Sequence, residues 1–224
     1  MSERIAAVIP VRSLRGGKTR LSGVLTPAER QELIERMLGV VLAATLGAPR
    51  LGAVAVVTPD PAAAAFAKAW DGRVRTVAQD PGRPGLNEAL AIGRDWALTC
   101  GADRLVTLSA DLPMLTPDEV GRLAGVAAGL AVARDRRRAG TNGLSLALAG
   151  RGRQFRFAFG AGSARRHAAE ARRLGLSLQC LDLPGTGFDL DEPDDLAALA
   201  RGGIGASSTA TRLAPSPCGI GADR

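Results

Sequence analysis

Short runs that are apolar at almost every position alternate with amphipathic stretches along most of the chain. Ile5-Ala6-Ala7-Val8-Ile9-Pro10 has the pattern of a strand buried on both faces and closed by proline. Val54-Ala55-Val56-Val57-Thr58, Val74-Arg75-Thr76-Val77, Arg104-Leu105-Val106-Thr107-Leu108, Leu130-Ala131-Val132-Ala133, Leu144-Ser145-Leu146-Ala147-Leu148 and residues 176–183 predict further strands. The helices between them announce their starts. Thr26-Pro27-Ala28-Glu29 is a capping box with proline at the first helical position, opening an amphipathic helix to about Thr45. Asp60-Pro61 caps an alanine-rich helix to Trp70, and Leu86-Asn87 begins one reaching about Cys100. Thr116-Pro117-Asp118-Glu119 repeats the capping box, Ser163 is expected to cap a helix to about Leu174, and residues 191–200 form the last. Such alternation predicts an α/β three-layer sandwich with a mainly parallel sheet. One domain is expected over residues 1–201. Residues 202–224, rich in Gly, Ser, Thr and Pro without apolar periodicity, read as a disordered tail.

Composition changes the picture in two ways. Aromatic residues are 3% of the chain and tyrosine is absent, so Ala, Leu and Val must fill the core. The formal charge of +7 invites anionic partners. Nucleic acid is disfavoured, because acids interleave with the bases and aromatic platforms for stacking are nearly absent. Cys100, Cys180 and Cys218 are too widely spaced for a disulfide framework or a metal cluster. The sequence has neither a run of membrane-spanning length nor a charged-then-apolar leader, and a cytoplasmic protein is expected.

Candidate chemistry gathers at strand ends. Asp111, in Ser109-Ala110-Asp111-Leu112-Pro113, follows an apolar strand at the place where open α/β sheets bind ligands. Asp189-Leu190-Asp191 follows a second apolar run, and residues two apart on an extended chain face the same side. Three carboxylates could hold Mg²⁺, which takes its remaining ligands from phosphate and water. Each alone would pass as a turn or cap residue. Arg12, Arg15, Lys18 and Arg20 lie in the loop after the first strand, enough cations to neutralise a triphosphate. Gly16-Gly17-Lys18-Thr19 is not a P-loop, since Arg12 stands where the first glycine belongs. Gly140-Thr141-Asn142-Gly143 and Phe159-Gly160-Ala161-Gly162-Ser163 could hold a second anion at a helix start. His167, the only histidine, reads as a surface or partner residue, and hydrolase triads are disfavoured.

In order, Ile9-Pro10-Val11-Arg12, Lys18-Thr19-Arg20-Leu21, Thr26–Arg30, Gly85-Leu86-Asn87, Ala110-Asp111-Leu112-Pro113, Gly140-Thr141-Asn142, Phe159–Ser163 and Asp189–Leu196 resemble the 2-phospho-L-lactate guanylyltransferase family. That family includes the phosphoenolpyruvate and 3-phospho-D-glycerate guanylyltransferases of coenzyme F-420 biosynthesis. The resemblance implies a GT-A-like nucleotidyltransferase fold, GTP, Mg²⁺ and release of pyrophosphate. It makes Asp111, Asp189 and Asp191 metal-holding acids, with Asp111, Lys18 and Arg20 as the catalytic set. It gives Pro10, Arg12, Lys18, Gly85 and Asn87 to the nucleotide, and Thr141, Gly160 and Ser163 to a phosphorylated acid. Ala161 stands where the family often has proline, and Gly143 where it has a bulkier residue. The choice among phosphoenolpyruvate, 2-phospho-L-lactate and 3-phospho-D-glycerate stays open, as does a homodimer; the product would pass to the next enzyme of the pathway. Two alternatives stand beside this reading. A molybdenum-cofactor or sugar-phosphate nucleotidyltransferase would need a wider loop than Gly160–Ser163. A non-catalytic anion-binding module would gain nothing from three clustered carboxylates.

Overall fold

Each apolar run becomes a strand of one seven-stranded sheet. The computed structural model describes residues 3–201, and the expected tail at 202–224 lies outside them. The strands are β1 (Ile5–Pro10), β2 (Leu51–Thr58), β3 (Val74–Ala78), β4 (Arg104–Leu108), β5 (Leu130–Arg134), β6 (Thr141–Ala147) and β7 (Leu178–Leu181). Their order is β3-β2-β1-β4-β6-β5-β7. Only β6 runs against its neighbours, pairing antiparallel with β4 and β5, so the sheet is mainly parallel as expected.

Alternation along β1 builds the two cores. Ile5, Ala7 and Ile9 pack with Met37, Leu38 and Val41 of α1 (Pro27–Gly47), Ala63 and Ala67 of α2 (Pro61–Trp70), and Val120 and Leu123 of α4 (Pro117–Ala124). Ala6 and Val8 point the other way, to Ala89 and Leu90 of α3 (Leu86–Thr99) and to the core that holds Ala171 and Leu174 of α5 (Ser163–Leu174). Helices on both faces of a sheet make the three-layer sandwich. α6 (Pro184–Gly187) and α7 (Pro193–Arg201) complete the chain. Among the described residues no helix is long and apolar enough to cross a membrane.

The expected caps form. Thr26 and Thr116 each accept from the backbone of the glutamate three residues on, while Glu29 and Glu119 bond back. Asp60 Oδ1 accepts the Ala62 N–H at 2.9 Å. Three local expectations are corrected. β6 begins at Thr141, not Leu144, because its polar first residues pair with β5. The strand before Asp189 ends at Leu181, and the short α6 intervenes, so the acidic pair does not extend a strand. Gly162, in the left-handed region at φ 67°, is the N-cap of α5; Ser163 is its first helical residue and caps nothing.

Strand order reverses its direction of growth at β1, which has β2 on one side and β4 on the other. The crevice at the carboxyl ends of β1 and β4 is where such sheets bind ligands.

Candidate active site

The loop leaving β1 is held down by α2 before it reaches the crevice. Asp60 Oδ2 accepts from Ser13 Oγ and from the Leu14 N–H, both at 2.9 Å, and Leu14 is buried. The chain then turns through Lys18, a non-glycine residue in the left-handed region (φ 52°, ψ 42°). That turn aims its side chain inward. Lys18 Nζ lies 2.6 Å from Asp111 Oδ2 and 2.7 Å from Asp191 Oδ1. Burial alone would lower the lysine pKa; the Asp111 charge and hydrogen bond, with those of Asp191, outweigh it and raise it above the ordinary value.

Asp111 stands just beyond β4, whose pairing continues as the Ser109 N–H donates to Asn142 O at 2.8 Å. The second acidic segment is tied to it by the Leu190 N–H, which donates to Asp111 O at 3.2 Å. Leu190 is fully buried, leaving Asp189 and Asp191 half-buried on either side. Asp195, itself buried and paired with Arg136, accepts the Asp191 and Glu192 N–H groups, both at 2.8 Å. A carboxylate from α7 thus fixes the acidic segment.

Asp111, Asp189 and Asp191 are the donors that the resemblance gives to magnesium. Asp189 is pushed above the usual carboxylate range, first by burial and then by the charges of Asp111 and Asp191, despite hydrogen bonds from its own N–H and from Asn142. Hard oxygen donors, one of them pushed up by burial and by the charges of the other two, suit a hard divalent cation. Among the described residues, however, no three such side chains already form a metal cage. The Lys18 ammonium bridges Asp111 and Asp191 instead, because two close carboxylates need a positive partner.

The other expected cations stay outside. Arg12, Arg15 and Arg20 are exposed, and Arg20 lies 3.7 Å from Glu192. Pro10 ends β1 half-buried beside the crevice. Gly85, at φ 109°, is the N-cap of α3, and Gln79 braces its loop by donating to Arg83 O and Gly85 O at 2.8 and 2.9 Å. Asn87 does not stand free: its Oδ1 accepts the Phe159 N–H at 2.7 Å. It links the loop expected at the nucleotide to the loop expected at the acceptor.

A second cluster forms around Thr141, which is buried at the start of β6. Because β6 is antiparallel, its first residue lies at the same rim as Asp111; Gly143 pairs with Leu108. Neighbouring residues of β6 face opposite sides. Asn142 Nδ2 donates to Thr186 O at 2.8 Å, while Thr141 Oγ1 lies 3.0 Å from His167 Nδ1. Ser163 and His167 are four residues apart on the buried face of α5, with Ala171 and Leu174. Two of the amides at the start of α5 are already engaged: Ser163 N–H donates to Gly160 O at 3.0 Å and Ala164 N–H to Ala139 O at 3.1 Å. Gly160 has φ 114°, and a side chain there would meet Arg166 Nη2 at 3.2 Å from its Cβ.

The expectation for His167 is corrected. It is fully buried, not at the surface, and the spacing 163, 167, 171, 174 was the available signal. Burial, with the nearby Arg166 charge, lowers its pKa to about 4 against the opposing pull of Glu170. Arg166 and Gln79 also went unremarked in the sequence. The arrangement therefore offers a lysine-bridged carboxylate group and, at the adjoining start of β6, a buried threonine–histidine pair beside Ser163.

Comparison with known proteins gives the family and the fold. Residues 5–211 match the family described as "Guanylyl transferase CofC like". A phosphoenolpyruvate guanylyltransferase of Sphaerobacter thermophilus is 43% identical over 205 residues, covering 90% of this chain and 96% of the relative. One from Rubrobacter xylanophilus is 40% identical over 89% of this chain and 96% of its own. Among solved structures, a proposed nucleotide-diphospho-sugar transferase of Desulfovibrio desulfuricans superposes with a TM-score of 0.73 at 18% identity, covering 92% of this chain and 90% of that one. A nucleotidyl transferase from Methanothermobacter superposes at 0.66 with 21% identity, covering 88% and 96%.

Proposed function

The chain belongs to the CofC-like guanylyl transferase family, and is thus a nucleotidyltransferase; we propose that it moves GMP from GTP to the phosphate of phosphoenolpyruvate, releasing pyrophosphate. The observation that carries this reading is the convergence of Lys18, Asp111 and Asp191 at the carboxyl ends of β1 and β4. The activity for which the relatives are named, at 43% and 40% identity, supports the acceptor.

An oxygen of the acceptor phosphate forms the new bond to the α-phosphorus in line. The bond from that phosphorus to the β-bridging oxygen breaks, and pyrophosphate leaves with the electron pair. The acceptor is already an anionic nucleophile, so no general base is required. Positioning and charge neutralisation supply the rate. Lys18 offsets the charges of Asp111 and Asp191 and adds positive charge where the triphosphate would lie. Arg12 and Arg20, exposed at the rim, attract it. Asp111, Asp189 and Asp191 would hold Mg²⁺, which when bound screens the repulsion between two anionic reactants. Pro10, Gly85 and Asn87 border the nucleoside, and Thr141, Gly160 and Ser163 bind the acid, with the Arg166 guanidinium beside them.

Pyrophosphate release, measured with GTP and each of phosphoenolpyruvate, 2-phospho-L-lactate and 3-phospho-D-glycerate, tests the acceptor. Phosphoenolpyruvate should give the highest kcat/KM, by about tenfold or more. A higher value with either other acid would overturn the choice of acceptor.

A further inference from the structure

His167 has a hydrogen-bond arrangement that leaves its tautomer no choice. Its Nε2 receives the Ala158 N–H at 3.0 Å, and a backbone N–H can only donate. Nε2 is therefore the unprotonated nitrogen. In a neutral imidazole the proton must then sit on Nδ1, which faces Thr141 Oγ1 at 3.0 Å. Thr141 accepts that bond. Its own hydroxyl proton cannot point back at Nδ1 and is turned away from the histidine.

Thr141, Ser163 and His167 are all buried, and the Ser163 and His167 side chains rise from one face of α5. Phe155 and Phe159 wall the ring at centroid distances of 5.8 and 4.7 Å, which fixes its plane. The same Ala158–Phe159 segment is gripped from the far side by Asn87. Imidazole, threonine and the backbone of the Phe159–Ser163 loop thus form one braced unit.

We propose that His167 is a positioning residue for the acceptor: by donating from Nδ1 to Thr141 Oγ1, it commits the threonine hydroxyl to donate to an anionic oxygen of the phospho-acid. The inference rests on the reading of Thr141 as an acceptor-site residue. His167 does not touch the acid. Left unheld, the threonine hydroxyl could instead donate to a protein acceptor; held by Nδ1–H, it presents a proton to the anion with its rotor already fixed. Protonating the imidazole would set an Nε2–H against the Ala158 N–H, so the neutral form is the one the packing accepts.

Two substitutions separate the halves of this role. Asparagine places an amide N–H near the position of Nδ1 and can keep the bond to Thr141. Glutamine places a carbonyl near Nε2 and can keep the bond from Ala158, while losing the donor to Thr141. With the full chain and steady-state pyrophosphate release, His167→Gln should raise the KM for phosphoenolpyruvate about tenfold, leaving the KM for GTP within about twofold. His167→Asn should restore most of the acceptor KM. In a Thr141→Ala background, His167→Gln should add nothing further. An unchanged acceptor KM in His167→Gln, or a full additional effect in the Thr141→Ala background, would overturn the proposal. A long-range proton–nitrogen NMR spectrum of the imidazole supplies a readout independent of turnover and of correct folding in any variant. The wild-type ring should show protonated Nδ1 and bare Nε2 at neutral pH, and the opposite tautomer would overturn the assignment. If the tautomer is as expected but no phospho-acid is turned over, the acceptor reading has failed and the proposal with it; if acids turn over and the tautomer is reversed, only the role of His167 has failed.

Discussion

Three residues from distant parts of the chain meet at one ammonium. Lys18 is separated by 93 positions from Asp111 and by 173 from Asp191, yet its Nζ touches both. No local pattern encodes such a meeting. In the sequence each acid alone passes equally well as a turn or cap residue, and their placement after apolar runs, with the ordered resemblance, joined them. The lysine-bridged geometry was not legible at all, because it depends on the left-handed turn at Lys18. Removing one carboxylate from a shared charge site should cost several kcal/mol of transition-state stabilisation, roughly a hundredfold or more in rate. Asp111→Asn and Asp189→Asn should each lose that much kcat with an unchanged circular dichroism spectrum; wild-type turnover in both would reduce these acids to turn residues. The buried histidine makes a separate, pH-linked prediction. Its folded pKa of about 4 lies below the ordinary 6.5, so the folded state binds fewer protons than the unfolded chain between those values. Stability from this group is complete above the unfolded pKa and falls as pH drops through the window. Unfolding free energy should decrease by about 2 kcal/mol from pH ~7.5 to pH ~5, before most carboxylates titrate. Urea melts at the two pH values check this, and His167→Asn should lose most of the dependence.

The strands were legible because they are buried on both faces and therefore apolar at nearly every position. Capping boxes fixed the starts of α1 and α4 for an equally local reason, two side chains satisfying two free amides. The misplaced boundaries have a common cause. Thr141-Asn142-Gly143 carries turn-type residues, but antiparallel pairing between β4 and β5 makes it a strand. Pro184–Gly187 looks like loop; there, buried Glu119 of α4 accepts the Gly185 N–H at 2.6 Å and pins a helical turn. Tertiary contacts overrode local preference in both. Small residues are also what bring the layers together. In α3, a Cβ added at Gly93 would lie 2.5 Å from Val8 Cγ1 and 3.3 Å from Val57 Cγ2, both fully buried in the sheet. Alanine there should gain about 1 kcal/mol of helix propensity but suffer overpacking, typically 1–3 kcal/mol, against strands that cannot retreat. Gly93→Ala should therefore lower the unfolding midpoint. A raised midpoint would mean that the α3–β1 contact has slack.

At the scale of the molecule, the sandwich puts a basic loop, two acidic segments and the Thr141–His167 pair on one rim, over cores filled mainly by Ala, Leu, Val and Ile. The fold class was legible from the strand–helix alternation, and its mainly parallel sheet follows from the length of each crossover. Function was less so, since a crevice of this kind serves many chemistries and a net charge of +7 fits several anionic partners. What narrows it is the family, together with the carboxylates facing Lys18. In the proposed reaction the α-phosphorus of GTP, and no other, is attacked. Incubating the protein and Mg²⁺ with phosphoenolpyruvate and GTP carrying label at either the α or the γ position tests it directly. The α label should appear in a new adduct of GMP with the acid, and γ label in pyrophosphate, in equal amounts. Label from the α position recovered in GDP, or from the γ position in the acid or in free phosphate, would show phosphoryl transfer or hydrolysis and rule out guanylyl transfer.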